Sequence, residues 1–274
     1  QFRRDYQPFG LGQDYRHVTL QAAVHDDEEL VRDYLGRFFA DAKDFKPFDA
    51  WIEAGFVRRV FASTKLLQGA GNPEPWISMI NDPGACQELK DRVEIGFALT
   101  NRTWFAAGDA VSLEVDVKNV PTLVVKVFEI NALNYFLANG RDVDTSIDLD
   151  GLVASEQQTH RYEEPPIRRV RRTFAFPALA APGVYIVEFI GGGISSRALV
   201  RKGRLRFLER TGSAGHVFTA LDENRAVLRD ASLWLGGREY RAEADGTIAV
   251  PFSTHPCRQT VLLRHGNLTT LEAF

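Results

Sequence analysis

Between Val111 and Ile130 the chain reads VSLEVDVKNVPTLVVKVFEI. Val111, Leu113, Val115 and Val117 alternate with Ser112, Glu114, Asp116 and Lys118. That period of two sends one set of side chains inward and the other to water, which predicts a half-buried strand. Asn119-Val120-Pro121-Thr122 breaks the run, because Pro121 has no N–H to give to a ladder. Leu123–Ile130 is mostly β-branched or aromatic and predicts a second, more deeply buried strand, with Val125 and Val127 in the core. Two strands are not stable alone and need a facing sheet, so the middle of the chain is expected to be a β-sandwich.

Upstream the period is helical. Tyr6, Phe9, Leu11, Tyr15, Val18 and Leu20 suggest an irregular arm, with a short strand at His17–Ala23. Asp26 and Asp27 offer an N-cap, and Glu28 and Glu29 favour the first turn of a helix. Leu30, Val31, Tyr34, Leu35, Phe38 and Phe39 then form one wide apolar stripe on a helix of about 15 residues. Lys46-Pro47 is expected to open a second helix and Gly55 to bend or end it. Phe56–Leu67 reads as a third helical segment, and residues 68–73 as a loop. Asp82-Pro83 predicts the cap and first position of a short helix reaching Asp91.

From Arg92 the period changes to two. Glu94–Thr100, Arg168–Phe176 and Gly183–Ile190 read as strands, whereas Asn134–Gln158 is long, polar and without a clear period. Gly191-Gly192-Gly193 predicts a flexible turn. Further on, His216–Ala220, Ala231–Leu235, Glu239–Arg241, Ile248–Phe252 and Thr260–Arg264 are short strand-like runs at even spacing. Asp245-Gly246 between two of them is a strong hairpin signal. The expected class is therefore mainly β with a small N-terminal helical unit: residues 1–91, a sandwich over 92–207 and a smaller sandwich over 208–274.

Composition narrows the function classes. A length of 274 residues, 45% hydrophobic and 25% charged, is an ordinary multi-domain globular composition. A net charge of −3 argues against nucleic-acid binding driven by bulk charge, and no apolar run is long enough to span a membrane. The chain opens on Gln1 without a basic and apolar leader, which suggests a mature fragment or a piece of a longer chain. Cys86 and Cys257 lie in different expected domains without ligand spacing around them, so free thiols or an inter-domain bridge both remain open.

Candidate chemistry is sparse. In DVDTSIDLDG (142–151), Asp148, Asp150 and Gly151 match three positions of a D-x-D-x-D-G calcium loop. Ser146 and Gln157 stand where the first and twelfth ligands belong, and a solvated loop or edge strand explains the same residues. Arg168, Arg169, Arg171 and Arg172 form a basic run that fits an anionic partner, or an edge strand guarded by charge. His17, His25, His160, His216, His255 and His265 are scattered, and no GxSxG, P-loop, HExxH or GxGxxG occurs. No catalytic, cofactor-binding or firm metal-ligating residue emerges. A carbohydrate platform would have to use Trp104, Trp234 and Tyr240.

The run FALTNRTWFAAGDAVSLEVDVKNV resembles the opening strands of macroglobulin-type modules. Ala181-Pro182-Gly183-Val184-Tyr185 is similar to a late strand of such modules, and 229–235 with Ala244-Asp245-Gly246-Thr247 resembles the next module of an array. The resemblance covers about 92–274. It implies immunoglobulin-like sandwiches, a bacterial, periplasmic or extracellular setting, and a non-catalytic role as scaffold or protein-interaction segment of a longer chain. The thioester Cys-Gly-Glu-Gln of that family is absent. The expected partner is a protein or neighbouring modules of the same chain, with no cofactor. The alternatives are a carbohydrate-binding sandwich and a hydrolase that uses the helical unit.

Overall fold

The computed structural model describes residues 28–48, 50–254 and 259–274. The expected arm over 1–25, the cap at Asp26 and Asp27, and His17, His25, His255 and Cys257 lie outside them. The chain divides into two compact units, residues 1–92 with 165–169, and residues 93–164 with 170–274.

The first unit is helical. Helix α1 (Glu28–Asp41) buries Leu35 and Phe39 against Val57, Val60 and Phe61 of α2 (Ala54–Gln68). Phe39 meets Phe61 edge-on at 5.2 Å, and Phe61 meets Trp76 at 5.8 Å. Lys46-Pro47 opens only a single 3-10 turn, Lys46–Phe48. The helix restarts later because the Glu53 carboxylate accepts the Gly55 and Phe56 N–H groups. Gly55 thus sits in the first turn of α2 and bends nothing. Gly69, left-handed at φ 67°, closes α2 by donating its N–H to the Leu66 carbonyl. Helix α3 (Glu74–Ile80) follows, and α4 (Pro83–Asp91) is capped by Asp82 as expected, accepting from the Ala85 N–H at 3.0 Å. Ile167 of the 165–169 segment packs on Ala62, Leu66 and Ile80 in this same unit.

The second unit holds two β-sandwich cores. In the first, a three-stranded sheet in the order β1 (Glu94–Phe97), β3 (Ser112–Lys118), β6 (Arg169–Ala175) faces a five-stranded one. The latter runs β2 (Trp104–Phe105), β8 (Ile194–Lys202), β7 (Gly183–Gly191), β4 (Thr122–Ile130), β5 (Glu156–Arg161). The expected pair β3 and β4 do not pair with each other. Asn119, at φ 55°, and Pro121 carry the chain from one sheet to the other, so the two strands face across the core. Val115, Val117, Leu123, Val125 and Val127 are all buried there around Phe189, which takes Phe97 and Phe174 edge-on at 5.5 Å and 5.1 Å.

The segment 134–158 resolves into helix α5 (Ala132–Asn139), a loop and β5. Val143, Ile147 and Leu149 of that loop pack with Phe128, Ile130, Val184 and Ile186 on the outer face of the five-stranded sheet. Apolar Ile147 and Leu149 are therefore anchors of a second layer. The three glycines are not a flexible turn: Gly191 ends β7 in register with Ile194, and Gly192 and Gly193, at φ 57° and 82°, make a tight two-residue hairpin.

The second core lies between the sheet β9 (Arg206–Thr211), β10 (Gly215–Leu221), β13 (Thr247–Pro251) and the sheet β12 (Arg238–Arg241), β11 (Ser232–Leu235), β14 (Thr260–His265), β15 (Leu268–Ala273). Asp245-Gly246 does make a turn, with Glu243 and Thr247 bonded across it, but β12 and β13 then enter opposite sheets. The hairpin in this region is Gly236-Gly237, which joins β11 to β12. Leu205 belongs to this second core, so its packing begins ahead of residue 208.

Candidate interaction surfaces

Two arginines of the basic run have partners within the protein. Arg171 grips Asp116 with Nε at 2.9 Å and Nη2 at 2.7 Å, a bidentate pair that raises the guanidinium pKa further. Arg172 bonds Glu164 and lays its guanidinium over the Tyr162 ring at 3.7 Å. In the helical unit, Arg168 lies alongside Gly69 at the end of α2, where its charge suits the helix dipole. Arg171 and Arg172 are thus engaged within the protein, while the Arg171 side chain stays half exposed.

The Asp142–Gly151 loop is organised by its own turns. The Asp148 carboxylate accepts the Asp150 N–H at 2.9 Å, and Asp142 pairs with Arg201 at 2.8 Å. Asp144 accepts both the N–H and the hydroxyl of Ser146, which lowers its pKa. Among the described residues no three His, Cys, Asp or Glu side chains converge on a metal position. Asp148 and Asp150 flank buried Leu149, so period-two packing dictates their exposure.

An aromatic platform does not form from the expected trio. Trp104 lies between the Arg201 and Arg204 guanidinia, 5.3 Å and 5.4 Å from its ring. Trp234 pairs across the ladder with Glu239, and Tyr240 with buried Leu233, so the two rings leave opposite faces of their sheet. Burial raises the Cys86 thiol pKa, with Asp82 adding to it, which disfavours the reactive thiolate. His216 bonds Glu209 at 2.8 Å and is flanked by Phe252 and Phe274, at 5.1 Å and 4.9 Å.

Two features escape the sequence reading. On α1, Leu30, Tyr34 and Phe38 recur every fourth residue and remain 59%, 56% and 63% exposed. The helix is thus apolar on two sides, one packed on α2 and one turned outward. The wide apolar stripe in the sequence held both, but periodicity alone assigns them all to the core. The other feature is polar. The register of β5 on β4 pairs Glu156, Gln158 and His160 with buried Val127, Val125 and Leu123. These three polar side chains therefore point into the sandwich at its open side. Gln158 links them, bonding Glu156 at 2.7 Å and His160 at 3.1 Å.

Comparison with known proteins bears on these surfaces. Residues 2–93 match the family described as "Actin-binding protein F N-terminal domain", and residues 123–203 the one described as "AbpF first immunoglobulin-like domain". Actin-binding protein F of Dictyostelium discoideum is 37% identical over 240 residues, which are 87% of this chain and 10% of that protein. The chain thus spans about a tenth of the length of the curated relative it matches. Among solved structures, native α2-macroglobulin from Escherichia coli spanning domains MG0-NIE-MG1 is 16% identical at TM-score 0.43, over 66% of this chain and 64% of that one. A chimeric titin Z1Z2 tandem is 14% identical at TM-score 0.31, over 66% and 96%. The likeness to macroglobulin modules is one of structure only; the sequence matches are to actin-binding protein F. That relative is a Dictyostelium protein and gives no support to a bacterial setting.

Proposed function

We propose that this chain is a non-catalytic protein-interaction segment and that filamentous actin is its partner, contacted through the helical unit. The observation that carries the reading is the 37% identity to an actin-binding protein over 240 residues, which extends through both units. The exposed Leu30–Tyr34–Phe38 line supports the choice of surface. Large apolar and aromatic side chains left outside on one helix face are the composition of an interface centre. The groups that would serve catalysis support the same reading. Burial shifts the Cys86 thiol away from the reactive thiolate, and the His216 ring is held by Glu209 between Phe252 and Phe274.

Co-sedimentation with filamentous actin tests it. The 274-residue chain is expected to pellet saturably with filaments, and Tyr34→Asp with Phe38→Asp to abolish pelleting while leaving the melting temperature unchanged. A chain that stays in the supernatant across the titration would refute actin contact by this segment. Pelleting that the double variant retains would move the contact away from α1.

A further inference from the structure

The first sandwich is open on one side. Its three-stranded sheet ends in β6 and its five-stranded sheet in β5, and both of these edges lie on the same side. Side chains show this directly: the His160 ring on β5 meets Phe174 of β6 at 5.2 Å, and Arg172 of β6 covers Tyr162 just beyond β5. Three strands cannot cover the inner face of five. The inward residues of β5 at this margin are accordingly Glu156, Gln158 and His160 rather than aliphatics.

Two atoms along this seam are left over. Glu156 Oε2 and Arg172 Nε are both buried and lack a hydrogen-bond partner. One is a charged acceptor and the other a charged donor, and a buried polar atom without a partner costs stability. Gln158 occupies only the other carboxylate oxygen of Glu156, and Glu164 is held by Arg172 Nη2 rather than by Nε.

We infer that the open edge of β6 accepts, as a fourth strand, an extended segment of a partner protein that carries one acidic and one hydrogen-bond-donating side chain. Such a strand pairs its backbone with β6 and lies opposite β5. Alternate side chains then point into the seam, so those that satisfy the two atoms stand an even number of residues apart. One is an Asp or Glu that accepts from Arg172 Nε. The other is a Lys, Asn, Gln, Ser or Thr that donates to Glu156 Oε2. A strand lacking them leaves both atoms without a partner, as in the free chain, so it gains less on docking and the seam selects its partner. A second copy of this chain fits poorly, because β6 reads RVRRTFA and self-pairing sets arginines against arginines. The inference goes beyond the actin reading and does not require it.

The test is a random nine-residue peptide library displayed on phage and selected on the whole 274-residue chain. Enriched peptides should be rich in β-branched residues and carry an Asp or Glu with a Lys, Asn, Gln, Ser or Thr an even number of residues away. Bound as free peptides, they should slow amide exchange over 170–175. Glu156→Gln and Arg172→Lys should each weaken binding about tenfold while melting like the parent. N-methylating the peptide amides that face β6 should abolish binding, and methylating the alternate set should leave it intact. A selection without enrichment, protection confined to another segment, or equal loss from both methylation sets would overturn the inference. So would sedimentation showing that the chain pairs with itself through 170–175, since the edge would then belong to a second copy.

Discussion

The Tyr185 hydroxyl donates to the Ala181 carbonyl oxygen at 2.9 Å, bridging the corner at which Pro182-Gly183 leads the chain into β7. This is the tyrosine corner of immunoglobulin-like sandwiches, at the start of the strand that pairs with both β4 and β8. Tyr185 is buried, which raises its pKa, so the phenol stays a neutral donor. Tyr185→Phe keeps the ring and removes the bond. It should cost about 1 kcal/mol, read as a lower urea midpoint at unchanged slope. An unchanged midpoint would mean that the corner is held by the ring alone.

Gly191 is required for space rather than for flexibility. A Cβ there would stand 2.3 Å from Val120 Cγ1 and 2.9 Å from the Thr122 carbonyl oxygen. Gly191→Ala should therefore destabilise by roughly 1–3 kcal/mol as an overpacked core position. Gly193 meets nothing within 4 Å but holds φ 82°, which Asn tolerates. Gly193→Asn should melt within a few degrees of the parent. The tight hairpin also predicts that limited proteolysis spares 191–193. A first cut there would restore the flexible-turn reading.

The sequence carried the core strands because their chemistry is local. Leu113, Val115, Val117, Val125 and Val127 alternate in a way that only a buried face explains, and all are buried. The same local reading fails where partners are distant in sequence. Nothing within 134–158 announces that Val143, Ile147 and Leu149 cover the outer face of β4 and β7. Asp245-Gly246 has the residues of a hairpin and makes the turn, yet the facing sheets claim its two strands separately. The interaction surfaces were less legible still. The basic run is visible in sequence, but Asp116, which neutralises Arg171, lies 55 residues away. The polar ladder of β5 is inward only because of its register on β4.

Acid should unpick the start of α2. The Glu53 carboxylate accepts from the Gly55 N–H and then the Phe56 N–H, and those bonds hold its pKa below the usual carboxylate value. A depressed folded pKa stabilises above the unfolded value, about 4.3, and that stabilisation is lost as pH falls through the folded one. Glu53→Ala should therefore melt below the parent at neutral pH, and the two should converge in acid. A gap that persists at pH values where carboxylates are protonated would show that the cap acts through packing instead.

The second sandwich should fold from residue 204 and not from residue 208. Leu205 is 1% exposed and sits with Phe218, Leu233, Ile248 and Val261 in the second core. Its N–H donates to the Thr270 hydroxyl at 3.0 Å, and Phe207 packs on the same cluster. Removing a buried leucine costs about 2–5 kcal/mol. A domain of this size has a margin of similar order, since small domains bury little surface. We therefore expect the fragment 204–274 to show a cooperative thermal transition by circular dichroism and the fragment 208–274 to show none. The parent chain should then melt in a step matching the longer fragment. Equal folding of both fragments would place the start of the domain downstream of Leu205. Failure of both would mean that the two sandwiches fold as one unit, an outcome to which the Ala107 N–H bond to Glu223 at 2.9 Å would then contribute.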